Sequence, residues 1–271
     1  MIDGLTAFRL ERLVLAIIST FYGLSFLFYC PPRIKAKQTI RVIGFGMHLF
    51  ALVAHAFLLY LRVSSSQRAP FFGTYESLIA SSFAVSLVYF VFVWRKQSFG
   101  YGRAAAGVSW LGIFSAFMMN CFASYAAIGP RFLPPVLNSV YFEFHAVSAF
   151  LAYGCFTLAF FAAVTSFNVV DDSVKANRLA ISEFYLWPGL ILFTAALVLG
   201  AAWSQNAWGQ WWIWTPKFTF SLITWGVFLL ALALRHSKGT QRRGFPWLVI
   251  LGYALVLFTF FGTNRNPHNF M

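Results

Sequence analysis

The chemistry this sequence can offer rests mainly on its histidines and its tryptophans. The five histidines are His48, His55, His145, His236 and His268. Imidazole binds metals and changes charge near neutral pH, which unperturbed side chains of other types do not. His48 and His55 stand seven residues apart in one apolar run. On a helix they share a face and lie roughly 10 Å apart along the axis. That is too far to hold one metal jointly, so each faces a separate partner: a cofactor, or a neighbouring helix that takes a hydrogen bond. His145 follows Pro134-Pro135, His268 lies in the C-terminal tail, and His236 ends an apolar run beside Arg235. Two imidazoles from different elements at one level are what a six-coordinate haem iron requires. His145 and His268 form one such level. His48 and His236 form another, although His236 fits equally well as a solvated helix end.

The tryptophans are concentrated. Five of the chain's ten fall between residues 203 and 217, at Trp203, Trp208, Trp211, Trp212 and Trp214. Indoles that anchor a protein at the lipid headgroups are usually spread over many helix ends. Crowding into one segment points instead to a shelf of flat apolar faces with indole N–H donors, suited to a large planar ligand such as a porphyrin. Cys30, Cys121 and Cys155 form no C-x-x-C pair, so neither a dithiol relay nor a zinc knuckle is supported, and they are read as small packing residues.

Positioning these groups falls to apolar helices. Of 271 residues 60% are hydrophobic and only 10% charged, with a mean hydropathy of +0.71. A soluble domain is about 25% charged, so this chain lacks the polar surface of one. Runs long enough to span a bilayer, roughly 20 apolar residues each, occur at 12–30, 42–61, 75–94, 104–125, 144–167, 185–203, 217–235 and 246–262. The alternating pattern of a membrane β-barrel is absent. The expected fold is therefore all-α: a single polytopic membrane domain over 1–271 with eight transmembrane helices and a Trp-rich loop at 203–217. The first run lacks a small-residue cleavage site and is expected to be retained.

Charge gives the orientation. Thirteen of the 20 Lys and Arg, from Arg33 to Arg243, lie in the alternate loops 31–41, 95–103, 168–184 and 235–245, and seven lie opposite. The positive-inside rule then places these loops in the cytoplasm, and both termini, the Trp-rich loop, His145 and His268 outside. The formal net charge of +13 reads as this topology signal, with the lipid bilayer as partner and no nucleic acid. Near the spans only Glu76 and Glu143 are taken as acidic, both at outer helix ends. A proton pump needs carboxylates through the membrane, and a carrier needs paired broken helices; neither pattern is present.

Residues 199–225, LGAAWSQNAWGQWWIWTPKFTFSLITW, resemble the tryptophan-rich signature of the WWD-domain haem-handling membrane proteins of cytochrome c biogenesis, WG-x-(Y/W)-W-x-W-D-P-K-E. Further segments agree in order. His55, Arg62 and Thr74-Tyr75-Glu76-Ser77-Leu78 resemble the family's membrane histidine and its N-x-Y-E-S-L stretch. Pro135 through His145 to Tyr153 resembles the segment with the first external haem-ligating histidine. Phe261-Gly262-Thr263-Asn264 with His268 resembles the segment with the second. The resemblance covers about residues 44 to 271.

It implies an external haem b site in a bacterial inner membrane or an organellar equivalent. His145 and His268 would be axial iron ligands, and Trp208, Trp211, Trp212 and Trp214 the shelf. His55 would mark a haem position within the membrane, with His48 as a further cofactor-binding candidate. In the synthetase branch, haem reaches the outer site and is offered to the C-x-x-C-H thiols of apocytochrome c. Thr215, however, stands where the signature has Asp, and Phe218 where it has Glu. Ala233 occupies the place of a second membrane histidine, with His236 three residues on. These departures leave a part in a haem lyase system open and give two expectations: a haem-binding protein of cytochrome c maturation type that holds or relays haem at the outer face, or a non-catalytic structural or regulatory subunit of a membrane complex on the same fold.

Overall fold

The computed structural model describes residues 4–29, 38–97, 102–126, 133–237 and 243–262. All regular structure among them is helical, and eight helices are long and apolar enough to cross a membrane. They fall into two compact units, Met1–Pro134 and Pro135–Met271.

The first unit contains α1 (Gly4–Tyr29), α2 (Gln38–Ser66), α3 (Thr74–Gln97) and α4 (Gly102–Tyr125). Its core is formed by Leu15, Ile18 and Tyr22 of α1, Ala51 and Leu58 of α2, Ile79 of α3 and Ala123 of α4. Lipid is as apolar as these side chains, so helix association in a bilayer relies on close packing and interhelical hydrogen bonds more than on the hydrophobic effect. Such bonds are present. Ser25 Oγ donates to the Gly44 carbonyl at 2.8 Å, Ser82 Oγ to the Ala116 carbonyl at 3.0 Å, and the Asn120 amide to Ser82 Oγ.

The second unit opens with a 3-10 turn (Pro135–Leu137). It continues through α5 (Val140–Ser166), α6 (Asp172–Trp208), α7 (Pro216–His236) and α8 (Phe245–Leu257), the last ending in a π-helical turn, Phe258–Gly262. Helix α5 is the most buried of the four. Phe156 of α5 stacks on Phe228 of α7 at 4.1 Å between ring centroids, and Phe160 stacks on Tyr253 of α8 at 4.5 Å. Ser182 Oγ of α6 donates to the Ala159 carbonyl of α5 at 2.8 Å.

Several boundaries differ from the sequence expectation: α1 starts at Gly4 rather than at 12, α2 covers Gln38–Ser66 rather than 42–61, and the largest extension is that of α6. With 37 residues it is about 55 Å long at 1.5 Å per residue, well beyond a hydrocarbon core of about 30 Å. It begins at Asp172 because the Asp171 carboxylate caps it, accepting from Ser173 N at 2.8 Å and Val174 N at 3.4 Å. That turns an expected loop signal into a helix start. At the other end Trp203 and Trp208 continue the helix, since nothing in Ala-Ala-Trp-Ser-Gln-Asn-Ala-Trp breaks it. Gly209 stops it in the left-handed conformation, φ +69°, a natural site for glycine. The non-helical part of the Trp-rich segment is thus only 209–215.

Candidate functional site

The 209–215 segment is pinned at both ends. Gly209 closes α6 by donating its N–H to the Gln205 carbonyl. Thr215 opens α7 with its hydroxyl oxygen accepting from Phe218 N at 3.4 Å, and Pro216 takes the first helical position, where no N–H is needed. Trp203 fixes the end of α6 by donating Nε1–H to the Val136 carbonyl at 2.9 Å. Trp211 and Trp214 are 63% and 76% exposed, and Trp208 is also exposed, so these rings are not core residues. Trp212 is tucked in, edge-on to Trp214 at 6.1 Å and to Phe218 at 5.0 Å. Its Nε1 is buried with no hydrogen-bond partner among the described residues. An unmatched buried donor is costly and is uncommon in folded proteins. Ser204 Oγ, fully buried nearby in sequence on α6, is likewise unmatched.

His145 projects from the first turns of α5 onto α6. Its Nδ1 lies 2.7 Å from the Ala196 carbonyl oxygen. A carbonyl only accepts, so Nδ1 carries the proton, and in the neutral ring Nε2 carries the lone pair. No described residue hydrogen-bonds that Nε2. Lys217, at the start of α7, acts on the ring electrostatically. His145 and the tryptophans therefore belong to one end of one unit, joined through the last turns of α6. His268, the expected second ligand, lies outside the described residues.

His48 and His55 are both fully buried within the first unit. Tyr22 of α1 lies against both rings, 5.4 Å from His48 and 6.0 Å from His55 between centroids. Its hydroxyl is 3.4 Å from His55 Nδ1. Phe83 and Tyr89 of α3 close in edge-on at His55 and His48 respectively. His48 Nε2 donates to the Ser86 carbonyl at 3.4 Å. The two histidines thus share Tyr22, while Phe83 meets only His55 and Tyr89 only His48. His236 is committed elsewhere: Nδ1 lies 3.0 Å from the Leu232 carbonyl and Nε2 3.3 Å from Glu183 Oε1, beside the Arg235–Glu183 pair at 2.8 Å.

A buried charge cluster at the other end of α2 escaped the sequence reading. Glu76 of α3 accepts from Arg62 Nε at 2.9 Å, from Arg68 Nη1 at 2.8 Å and Nη2 at 2.9 Å, and from Phe72 N at 2.8 Å. Arg62 also reaches Glu11 Oε2 at 3.6 Å, and Ser65 Oγ donates to Glu11 Oε1 at 3.1 Å. Glu11, 3% exposed inside α1, and Glu183 in α6 are therefore acidic residues within membrane-length helices that the expectation, which counted only Glu76 and Glu143, left out. Glu11 was missed because the apolar run was started one residue after it. Two carboxylates and two guanidiniums sum to zero charge, which is what makes their burial tolerable.

Sequence comparison agrees with this architecture. Residues 71–268 match the family model described as cytochrome C assembly protein. Protein NrfI of Wolinella succinogenes is 30% identical over 93% of this chain, and the chain spans 28% of NrfI's length. The cytochrome c biogenesis proteins CcsA of Nymphaea alba and of Guillardia theta are 25% and 24% identical, over 79% and 93% of this chain and 80% and 89% of theirs. Eight membrane-length helices together with these relatives make the protein an integral membrane protein of a bacterial inner or an organellar membrane. Since the matched stretch begins just before α3 and takes in every helix of the second unit, tryptophan segment included, the chain belongs to the cytochrome c assembly protein family.

Proposed function

We propose that this chain binds haem b against its Trp-rich segment, on the outer face of the membrane, and holds or relays it there for cytochrome c maturation. The observation that carries the proposal is the state of His145: a carbonyl occupies Nδ1, while Nε2 keeps its lone pair with no described partner. Two further features fit a porphyrin. Trp208, Trp211 and Trp214 offer exposed flat faces, and Trp212 keeps a buried N–H with no described acceptor. His145 and His268 would hold the iron. When bound, haem would supply an iron that takes imidazole ligands and vinyl groups to which cysteine thiols add.

The chain's own residues bind, orient and exclude water. The indoles cover apolar porphyrin surface, Trp212 Nε1–H suits an acceptor such as a carboxylate, and Lys217 adds positive charge. The partner is apocytochrome c or another membrane subunit. For His48 and His55 both readings stand: aromatic side chains of α1 and α3 enclose the rings as in a packed core, while His48 Nδ1 and His55 Nε2 are buried with no hydrogen-bond partner among the described residues, as a cofactor position would leave them.

One observation supports holding without transfer, as a structural or regulatory subunit. From Trp203 to Phe218 there is no acidic side chain. Thr215 keeps the helix-capping role that Asp would serve, without its charge, and Phe218 extends the aromatic packing. The test is protein purified in mild detergent with haem supplied. A b-type spectrum that weakens in His145→Ala and in His268→Ala is expected, and folded protein without haem sinks the binding proposal. Co-expression with an apocytochrome c reporter then separates transfer, read as covalently attached haem, from holding.

A further inference from the structure

The His145 ring lies against the backbone of α6 at a point where that helix has almost no side chain. The Ala196 carbonyl that accepts from Nδ1 is one turn before Gly200. A Cβ at position 200 would lie 2.9 Å from His145 Nδ1 and 3.1 Å from Cε1. Real Cβ contacts are not that short, so any residue but glycine would push the imidazole off the helix. Gly200 is itself buried in the middle of a regular helix, where glycine lowers stability relative to alanine by roughly 0.5–1 kcal/mol. Its presence there runs against helix propensity and is explained by the close approach of the ring.

From this geometry we infer that Gly200 is a positioning residue for the iron ligand. It forms the notch through which the Ala196 carbonyl fixes the tautomer and orientation of His145 and strengthens Nε2 as a donor. The inference rests on His145 being an axial ligand and extends that assignment to the group behind it. Histidines bound to metals commonly donate their other ring N–H to such an acceptor, and loss of that partner typically costs 10–100-fold in metal affinity. No carbonyl can be removed by ordinary mutation. Gly200→Ala is the substitution that displaces the ring from this one.

The experiment is a double-mutant cycle on full-length protein in detergent, titrated with haemin and followed by absorbance spectra and midpoint potential. With His145 present, Gly200→Ala is expected to weaken haemin binding about 10–100-fold. The potential should rise, since a less electron-rich imidazole stabilises ferric iron less, and the low-spin bands should diminish. In a His145→Ala background the same substitution should change affinity by less than about twofold, because a residue that acts through another has nothing left to act on. Equal losses in both backgrounds would show a packing role and overturn the inference, as would an unchanged spectrum and affinity in Gly200→Ala.

Should Gly200→Ala fail to yield monodisperse protein, replacement of His145 by Nδ-methylhistidine removes the donated proton while keeping Nε2. The same loss is then expected, and parental binding refutes the inference. His145→Ala that binds haemin with parental affinity and spectrum marks a different failure, that of the ligand assignment itself.

Discussion

Replacing Glu76 with Gln tests the buried charge cluster most directly. The carboxylate is 1% exposed and accepts from two guanidiniums and one backbone N–H, at 2.8–2.9 Å. Glutamine keeps the shape but removes the charge and turns one acceptor into a donor facing Arg62 or Arg68. Glu11, at 3.6 Å from Arg62, is then the only carboxylate of the cluster facing two buried cations. Removing one partner of a buried pair costs about 3–5 kcal/mol. At tenfold per 1.4 kcal/mol, this raises the unfolded fraction by roughly two to three and a half orders of magnitude. The assay is denaturant or thermal unfolding in detergent micelles, followed by tryptophan fluorescence. Glu183→Gln is the internal reference, because the Arg235–Glu183 pair, with side chains 11% and 24% exposed, is less deeply buried and should lose less. If Glu76→Gln unfolds no more readily than Glu183→Gln, the cluster does not tie α1, α2 and α3 together as described. Arg62→Leu combined with Glu76→Leu should lose less than the sum of the single changes, since the charges leave together.

Further outcomes follow from the second unit and the histidines. Thr215→Ala should destabilise by about 1 kcal/mol through loss of the α7 cap, whereas Thr215→Asp should keep that stability; unfolding in detergent measures both. Trp212→Phe should leave the haem-free protein as stable as the parent or slightly more so, because a buried unmatched donor is removed. Its haemin affinity should fall severalfold, and a titration that shows no change would detach Trp212 from ligand binding. Tyr22→Phe should cost about 1–3 kcal/mol by leaving His55 Nδ1 without its described partner, while the haem spectrum assigned to His145 stays as in the parent.

All eight helices and most loop positions were legible because apolar length and Pro, Gly and basic punctuation are properties of the chain itself. The clustering of Trp211, Trp212 and Trp214 was legible for the same reason. What the sequence did not reveal were features set by contacts between helices. Glu11 stands one residue before the first apolar run, and only the packing of α1 beside α2 brings it to Arg62. Asp171-Asp172 read as a loop because a capping carboxylate and a solvated one look alike until the helix it starts is known. Gly200 carried a usable signal, a glycine one turn before Trp203 in the apolar stretch of α6 that follows Pro188-Gly189. Its meaning depended on which face of α6 meets His145, and hydrophobic periodicity is silent on that in a helix apolar all round.

The order of charges in the cluster also bears on how the chain enters the bilayer during synthesis. Along the sequence the four residues run Glu11, Arg62, Arg68, Glu76. When α2 emerges from the ribosome, one carboxylate is already available to its guanidinium, and the second follows fourteen residues later. At roughly 5–20 residues per second that interval is about one to three seconds. During it, Glu11 alone must accompany Arg62 near the bilayer, with Arg68 still unmatched. Insertion of the first three helices is thus coupled, and a nascent chain stalled before α3 should leave α2 reluctant to settle across the membrane.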